Sequence, residues 1–293
     1  MDALKEWEAK GDYFTYCDEK IFHIEGGQID APVLLLIHGF PTASWDWHKI
    51  WNPLCQHFRV LALDMIGFGL SAKPLNYQYC IQDQADLIQS FLQFKGVTRY
   101  HILAHDYGDT VAQELLARDQ ENQAPGIKHN IESTLLLNGG LFPETHKPVL
   151  IQKLLLSPMG GFIARYGSFA RFKKNFDHIC VHALPEYELR IFWSLLTRSN
   201  GRAIIPKLIH YMNERKTYRE RWVGALQNAQ TPIKLINGLE DPISGMHMLT
   251  RYRELIKTPD IFEMEGVGHY PQVEAPKDVI KAALNFWKSL ALI

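Results

Sequence analysis

Short apolar runs alternate with segments of helical periodicity along most of the chain. Val33 to Ile37 is an unbroken apolar run, which is typical of a strand covered on both faces. Arg59 to Leu63 and Ser133 to Leu137 have the same character, and the spacing of apolar residues over 81–94 predicts a helix between strands. Strand and helix in alternation predict an α/β fold with a mostly parallel, doubly wound sheet.

The same pattern extends towards both ends of the chain. The further elements predicted there are a hairpin over 13–17 and 20–25 that turns at Asp18 and Glu19, a helix over about 45–57, strands over 232–237 and 260–265, and a final helix over about 276–290.

The alternation stops between residues 142 and 222, where only aromatic and basic helix-like segments occur. We interpret 142–222 as a helical cap inserted between two strands of one core domain, which comprises 1–141 and 223–293. The insert carries 14 Lys and Arg against 6 Asp and Glu, a net charge of +8 in a chain whose total is −1. A basic cap favours docking on an acidic core, or attraction of an anionic ligand or a lipid surface.

Composition narrows the function classes. A net charge of −1 argues against nucleic acid as the main partner, and no apolar run is long enough for a membrane span. The first ten residues lack the apolar run of a signal peptide, and the four cysteines include no CxxC pair. We therefore expect a cytoplasmic monomer or homodimer that acts on a small molecule, without a metal or another cofactor.

Residues 100–109 form a strand, a sharp turn and the start of a helix. Ala104 and Gly108 lie two places either side of Asp106, which is the layout of a nucleophile elbow, with Asp106 where Ser or Cys is common. Asp109 is the predicted helix N-cap. No Gly-x-Ser-x-Gly occurs, and the nearest match, Thr197 to Gly201, falls in the predicted cap and follows no strand.

Two further reactive groups follow predicted strands. Asp241 comes after the strand over 232–237, and His269 follows the strand over 260–265. Because the carboxyl ends of parallel strands meet at one edge of a sheet, both are expected near Asp106. The order nucleophile, acid, histidine is that of α/β-hydrolase triads.

Four motifs together resemble the α/β-hydrolase fold, in its epoxide hydrolase and haloalkane dehalogenase branch, and within it the mesoderm-specific transcript group. They are His38-Gly39-Phe40-Pro41, Asp64-x-x-Gly67-x-Gly69-x-Ser71, His105-Asp106-Tyr107-Gly108 and Gly268-His269-Tyr270-Pro271-Gln272-Val273-Glu274.

An aspartate nucleophile suits attack on saturated carbon, because it is ionised at neutral pH and needs no base. The expected product is an alkyl ester on Asp106, which water activated by His269 would hydrolyse, with Asp241 orienting the histidine. The backbone N–H groups of Phe40 and Tyr107 are the candidate oxyanion hole.

The loop before that hole has its own expected role. His38, Gly39 and Pro41 are interpreted as structural residues that hold it in place. The resemblance also implies a cis peptide at Pro41.

Leaving-group chemistry favours epoxides. Dehalogenases of this branch hold halide with side-chain N–H donors, whereas Tyr107 and Phe40 offer none, and no arginine stands beside Asp106 in the sequence. Epoxide hydrolases use cap tyrosines as the acid that protonates the epoxide oxygen. Tyr211 is the preferred candidate here, followed by Tyr218, and the cap also contains Tyr166 and Tyr187. Trp45 is a further predicted substrate contact. A haloalkane dehalogenase, an ester hydrolase and a non-catalytic ligand-binding or interaction protein remain as alternatives.

Overall fold

The computed structural model of the chain describes residues 2–121 and 130–293. Its strands are β1 (Gly11–Tyr16), β2 (Glu19–Gly26), β3 (Val33–Ile37), β4 (Arg59–Leu63), β5 (Tyr100–His105), β6 (Ile131–Leu137), β7 (Ile233–Gly238) and β8 (Asp260–Met264). They form one sheet in the order β1-β2-β4-β3-β5-β6-β7-β8. The β1–β2 and β2–β4 pairs are antiparallel, whereas the pairs from β4 through to β8 are parallel. The predicted fold class is confirmed.

Helices cover both faces of this sheet. Before β6, the described residues form α1 (Asp2–Lys10), a 3₁₀ helix (Ser44–Trp47), α2 (Trp51–Cys55), α3 (Ile81–Phe94) and α4 (Tyr107–Glu121). Between β6 and β7 lie α5 (Leu150–Leu155), α6 (Gly160–Arg165), α7 (Phe169–Ile179), α8 (Glu186–Thr197), α9 (Gly201–Leu208), α10 (Tyr211–Thr217) and α11 (Arg219–Gln227). After β7 come α12 (Met246–Leu255), α13 (Pro271–Glu274) and α14 (Pro276–Ser289).

The middle of the sheet is the least accessible part of the molecule. In β3, Leu34, Leu35 and Leu36 are fully buried, and every residue of β5 is buried. Apolar runs of this kind are stable only where helices cover both faces. The loops at the carboxyl ends of β3, β5, β7 and β8 are thereby fixed at one edge of the sheet, where the candidate site lies.

Two local predictions are wrong. A continuous helix over 45–57 would place Pro53 in its interior, where proline lacks a donor and clashes with the preceding turn. Instead, a 3₁₀ turn ends at Trp47 and α2 begins at Trp51, so Pro53 lies in the first turn of α2. Asp109 is not an N-cap, because α4 already begins at Tyr107 and Asp109 is a buried residue of its first turn.

The division into core and cap stays a prediction. The described residues between β6 and β7 contain helices only. The predicted boundary at 222 falls within α11, which packs against α4. Residues 1 and 122–129 of the predicted core lie outside the described part of the chain. None of the helices described could span a membrane, since each is too short or too polar.

Candidate active site

Asp106 occupies the turn between β5 and α4. Its φ of 49° lies in the left-handed region, which is costly for a residue with a β-carbon. The neighbouring backbone tolerates this turn because Gly108 lacks a side chain: a β-carbon there would lie 2.2 Å from the carbonyl oxygen of Ile37. Gly39 is small for the same reason, since its β-carbon would meet the ring of His105 at 2.6 Å. This turn places Asp106 at the carboxyl end of β5.

The two carboxylate oxygens of Asp106 have different surroundings. Oδ2 accepts a hydrogen bond of 3.0 Å from the backbone N–H of Phe40. Oδ1 faces Nε2 of His269 at 3.9 Å. Tyr107 is the first residue of α4, so its backbone N–H has no partner inside the helix. One oxygen thus rests against the predicted oxyanion hole, and the other faces the histidine.

His269 is held by Asp241. Its Nδ1 lies 2.7 Å from Oδ2 of Asp241, and both side chains are buried. The same Asp241 oxygen accepts hydrogen bonds from Asn138 Nδ2 at 3.0 Å and Ser244 Oγ at 2.7 Å, and Oδ1 accepts from the backbone N–H of Ile243. Because a carboxylate only accepts, Nδ1 of His269 is the protonated nitrogen, which leaves Nε2 directed at Asp106.

The charges of this pair shift both pKa values. Burial alone would raise the pKa of Asp241, but the charge of His269 and the hydrogen bonds from His269, Asn138 and Ser244 lower it to about 2. Burial alone would lower the pKa of His269, but the charge and hydrogen bond of Asp241, with a further contribution from Asp106, raise it to about 9. Asp241 therefore stays charged beside His269, and the histidine holds a proton readily.

The loop after β3 is held by hydrogen bonds of the His38 ring. The backbone N–H of Met65 donates to Nε2 of buried His38, so Nδ1 carries the proton and donates to the carbonyl of Gly39 at 2.9 Å. Burial lowers the pKa of His38, consistent with this neutral form. The Phe40–Pro41 peptide bond is cis, as the resemblance implied.

Tyr211 is brought to the site and Arg215 joins it from the same helix, α10. The Tyr211 ring packs against Tyr107 at 4.8 Å and Phe40 at 6.0 Å, and its hydroxyl has no hydrogen-bond partner among the described residues. Burial, with the nearby charge of Asp106, raises its pKa, so this hydroxyl stays protonated.

Sequence reasoning missed Arg215, which the fold places beside Asp106. Its guanidinium donates to Thr110 Oγ1 at 2.7 Å and to the carbonyl oxygen of Asp106 at 3.1 Å, and Nη2 lies 4.0 Å from Asp106 Oδ1. Nη1 has no partner in the described part of the chain, although the side chain is 3% exposed. The sequence shows no arginine near Asp106, but the structure supplies a fixed positive charge there from a distant helix.

Two other predicted contacts are placed elsewhere. Tyr218 follows α10, is 38% exposed and packs against Trp222. Trp45 belongs to the 3₁₀ helix and is buried against α1, with its ring 5.6 Å from Trp7 and stacked on His48. Neither residue lines the cavity beside Asp106. Tyr166 and Tyr187 are also more than half exposed.

Two further residues of the recognised motifs position the histidine loop. Nε2 of buried His105 lies 2.8 Å from the carbonyl oxygen of His269. The carboxylate of Glu274 accepts hydrogen bonds from the backbone N–H groups of Gly268 and Tyr270, and also from Val181 at the end of α7. The His269 loop is therefore tied both to the elbow strand and to the predicted cap.

A cavity of about 350 Å³ lies between α5–α9 and the carboxyl edge of the sheet. Phe40 and His269, which face the oxygens of Asp106, are among its lining residues, and Asp106 itself is 2% exposed. Most of its walls are apolar side chains, among them Leu155, Ile163 and Phe172. Such a space is suited to an apolar small molecule with few polar groups.

Comparison with known proteins identifies the family of the chain. Residues 32–153 match the model of the alpha/beta hydrolase fold. The chain is 40% identical over 301 residues to the mesoderm-specific transcript protein of Mus musculus, covering 98% of this chain and 88% of that protein. It is 35% identical over 285 residues to the putative hydrolase LipZ of Mycobacterium tuberculosis, covering 97% of each. The resemblance seen in the motifs is confirmed.

More distant similarities point to the same fold. A haloalkane dehalogenase loop variant from Bradyrhizobium elkanii superimposes with a TM-score of 0.82 at 18% identity, covering 96% of this chain and 97% of that one. Epoxide hydrolase 3 of Xenopus tropicalis is 21% identical over 300 residues, 94% of this chain and 76% of that protein.

Proposed function

Because the chain belongs to the alpha/beta hydrolase family, we propose that it is a hydrolase whose nucleophile is Asp106 and whose substrates are small apolar epoxides. One observation carries this proposal: Oδ2 of Asp106 is held by the Phe40 N–H while Oδ1 faces Nε2 of His269. A nucleophile, an oxyanion donor and a base thereby converge on one carboxylate. The relatives named as hydrolases support the reaction class, whereas the epoxide rests on the residues around Asp106.

In the first step, Oδ1 attacks a ring carbon of the epoxide. A bond forms between that oxygen and the carbon, the ring C–O bond breaks, and its electron pair stays on the departing oxygen. Tyr211 is the proposed donor of the proton to that oxygen, since its hydroxyl is buried and protonated and its ring packs against Phe40 and Tyr107. Arg215 adds a positive charge that stabilises negative charge developing near Asp106.

In the second step, His269 takes a proton from water, and the hydroxide adds to the carbonyl carbon of the ester. The oxyanion forms on Oδ2, where the Phe40 N–H already donates. Collapse of this intermediate breaks the bond to the product oxygen, which takes the proton from His269, and Asp106 is restored. The second hydrogen of the water, left on the Asp106 carboxyl, passes to the Tyr211 phenolate, so that one water is consumed and both residues return to their starting states.

The electrostatics suit this order of events. The charge of Asp106 is one of the causes that raise the pKa of His269 to about 9. Esterification removes that charge, so the pKa of His269 falls when the alkyl ester forms. The histidine thus becomes a free base at the stage that requires one.

Trapping the ester tests the proposal and identifies the leaving-group chemistry. His269→Gln protein would be incubated with panels of apolar epoxides and haloalkanes, and its intact mass measured. An epoxide adds its whole mass to Asp106, whereas a haloalkane adds its mass less that of the hydrogen halide. We expect epoxide adducts, located at Asp106 by peptide mapping.

The matched control is the His269→Gln, Asp106→Asn double variant, which should form no adduct. Adducts in that control, or at another residue, would contradict the assignment of Asp106. Adducts from haloalkanes without adducts from epoxides would show that the substrate class is haloalkanes. Binding of panel members without any adduct would favour the non-catalytic alternative.

A further inference from the structure

Large apolar side chains are exposed together on one short stretch of the chain. Among the described residues, thirteen large hydrophobic side chains are exposed, and five of them lie on α5, α6 and the turns beside them. They are Leu150 at 73%, Leu154 at 39%, Met159 at 59%, Phe162 at 60% and Tyr166 at 59% exposure. We call these five residues the α5–α6 patch. A concentration of this kind marks a binding surface, whereas single exposed apolar residues need no explanation.

The charge along this stretch of the chain has one sign. Residues 145–176 contain six Lys and Arg and no Asp or Glu. Lys147, Lys153, Arg165 and Arg171 are exposed, and none of the four pairs with a carboxylate in the part of the chain that the structure describes. The apolar patch is therefore rimmed by positive charge that the protein itself does not neutralise.

The same helices form the outer wall of the cavity. Leu154 is partly exposed and also lines the cavity, and Ile151, Leu155 and Ile163 line it from the inner faces of α5 and α6. Arg171, on the basic rim, is a lining residue as well. Thus the patch and the cavity are the two faces of one thin helical layer.

We propose that the α5–α6 patch docks on an anionic lipid surface, which places the cavity wall against the membrane. Apolar side chains on a short helical surface bury into the boundary between headgroups and acyl chains, while lysine and arginine are attracted to anionic headgroups. The absence of acidic residues from 145–176 favours a negatively charged surface as the occupant. The docking goes beyond the reaction at Asp106 and does not depend on it, because binding needs no turnover.

Vesicle flotation tests this docking directly. The full chain would be mixed with vesicles of phosphatidylcholine alone or of phosphatidylcholine with phosphatidylglycerol, at low and high salt. We expect binding to the anionic vesicles that weakens as salt rises, since screening acts over about 10 Å at 0.1 M ionic strength. Binding to phosphatidylcholine alone should be much weaker.

Two variants separate the apolar and the basic contributions. Leu150→Ser, Met159→Ser and Phe162→Ser together should reduce binding at least tenfold. Lys153→Glu with Arg165→Glu should reduce it by a similar factor and weaken the salt dependence, because each basic residue near an anionic surface contributes roughly fivefold. The matched controls are Ile29→Ser, an apolar residue 63% exposed on another loop, and exposed Lys277→Glu, which should bind as the unaltered chain does.

Circular dichroism and thermal unfolding establish that each variant is folded, which is expected because all the substituted side chains are exposed. If the unaltered chain does not bind the anionic vesicles, or if both patch variants still bind them, the proposal is overturned. Sedimentation of the protein without vesicles tests whether a second copy of the chain binds the patch instead. Self-association lost in the patch variants, without vesicle binding, would make the patch an interface between two copies of the chain.

Discussion

The two walls of the cavity differ in how their side chains are held. On the sheet side, His269 lines the cavity and is held by Asp241, which Asn138 and Ser244 hold in turn. These hydrogen bonds measure 2.7 to 3.0 Å, and each of the four residues is buried. On the side of α5–α9, most contacts are between apolar side chains, which have no fixed direction. Hydrogen bonds fix geometry, while apolar packing fixes volume. The first wall is therefore suited to determine the reaction, and the second to determine which molecule fits.

The largest expected effect comes from the sheet side. Asp106→Asn removes the charged oxygen that would attack the substrate and leaves the shape of the elbow intact. Turnover of any substrate found by trapping should fall about 10⁴-fold or more, as for other residues that carry the covalent step. Steady-state rates measure this, with thermal unfolding as the check on the fold. A fall of tenfold or less would mean that another group attacks the substrate.

Asp241→Asn should have the next largest effect, because it removes the acceptor that fixes the proton of His269 on Nδ1. We expect a loss of about 10³ to 10⁴-fold in the release of product from the ester. Stopped-flow measurement of the two steps would locate the loss in the second. Asp177→Asn, which alters an exposed carboxylate paired with Lys173, is the control.

The same substitution should change the titration of His269. Its pKa is about 9 because of Asp241 and Asp106, so Asp241→Asn should lower it, as imidazole NMR resonances can show. Because the folded pKa exceeds the ordinary value of 6.5, this histidine contributes stability below about pH 6.5 that is lost as pH rises through about 9. His269→Gln should flatten the fall in the free energy of unfolding over that range. An unchanged slope would show that His269 does not hold its proton as described.

Arg215 reaches Asp106 from α10, and its removal should have an intermediate effect. Arg215→Met leaves the Asp106 carbonyl and Thr110 without their donor and removes the charge that faces Oδ1. We expect a loss of about 10 to 100-fold in ester formation, since a hydrogen bond to a charged group contributes about 1.5–3 kcal/mol. Arg215→Lys should recover part of the rate. Equal losses in ester formation and ester hydrolysis would indicate that Arg215 only supports the fold.

Substitutions on the apolar wall should change selectivity with little effect on rate. Ala164 is buried and lines the cavity, so Ala164→Leu fills part of its volume. The KM of the longest substrates should rise about tenfold, in line with the 1–3 kcal/mol that a methylene is worth in such a pocket, while kcat for the smallest stays within a factor of about two. A uniform loss for all substrates would mean that this wall also positions the reacting groups.

The sequence predicted the sheet side far better than the helical side. The strands at Val33–Ile37 and Arg59–Leu63 and the helix at Ile81–Phe94 have the predicted bounds, since their patterns are local. Asp241 and His269 meet beside Asp106 because parallel strands end at one edge.

The contacts from the helical insert depend instead on how helices pack, which no periodicity encodes. Tyr211 and Tyr218 are seven residues apart and would share one face of a continuous helix. However, α10 ends at Thr217 and α11 begins at Arg219, so Tyr218 lies at the break and is directed elsewhere. Arg215, one turn after Tyr211, is the residue that instead reaches Asp106.

The covalent step is tested most directly by a single turnover in water enriched in ¹⁸O, with enzyme in excess over a substrate identified by trapping. If water attacks the ester carbonyl, the label enters the side chain of Asp106, and the first product carries an unlabelled oxygen taken from that carboxylate. We expect this result, read by mass spectrometry of the peptide that contains Asp106 and of the product. Label in the first product with none in Asp106 would show direct attack by water and would contradict the covalent mechanism.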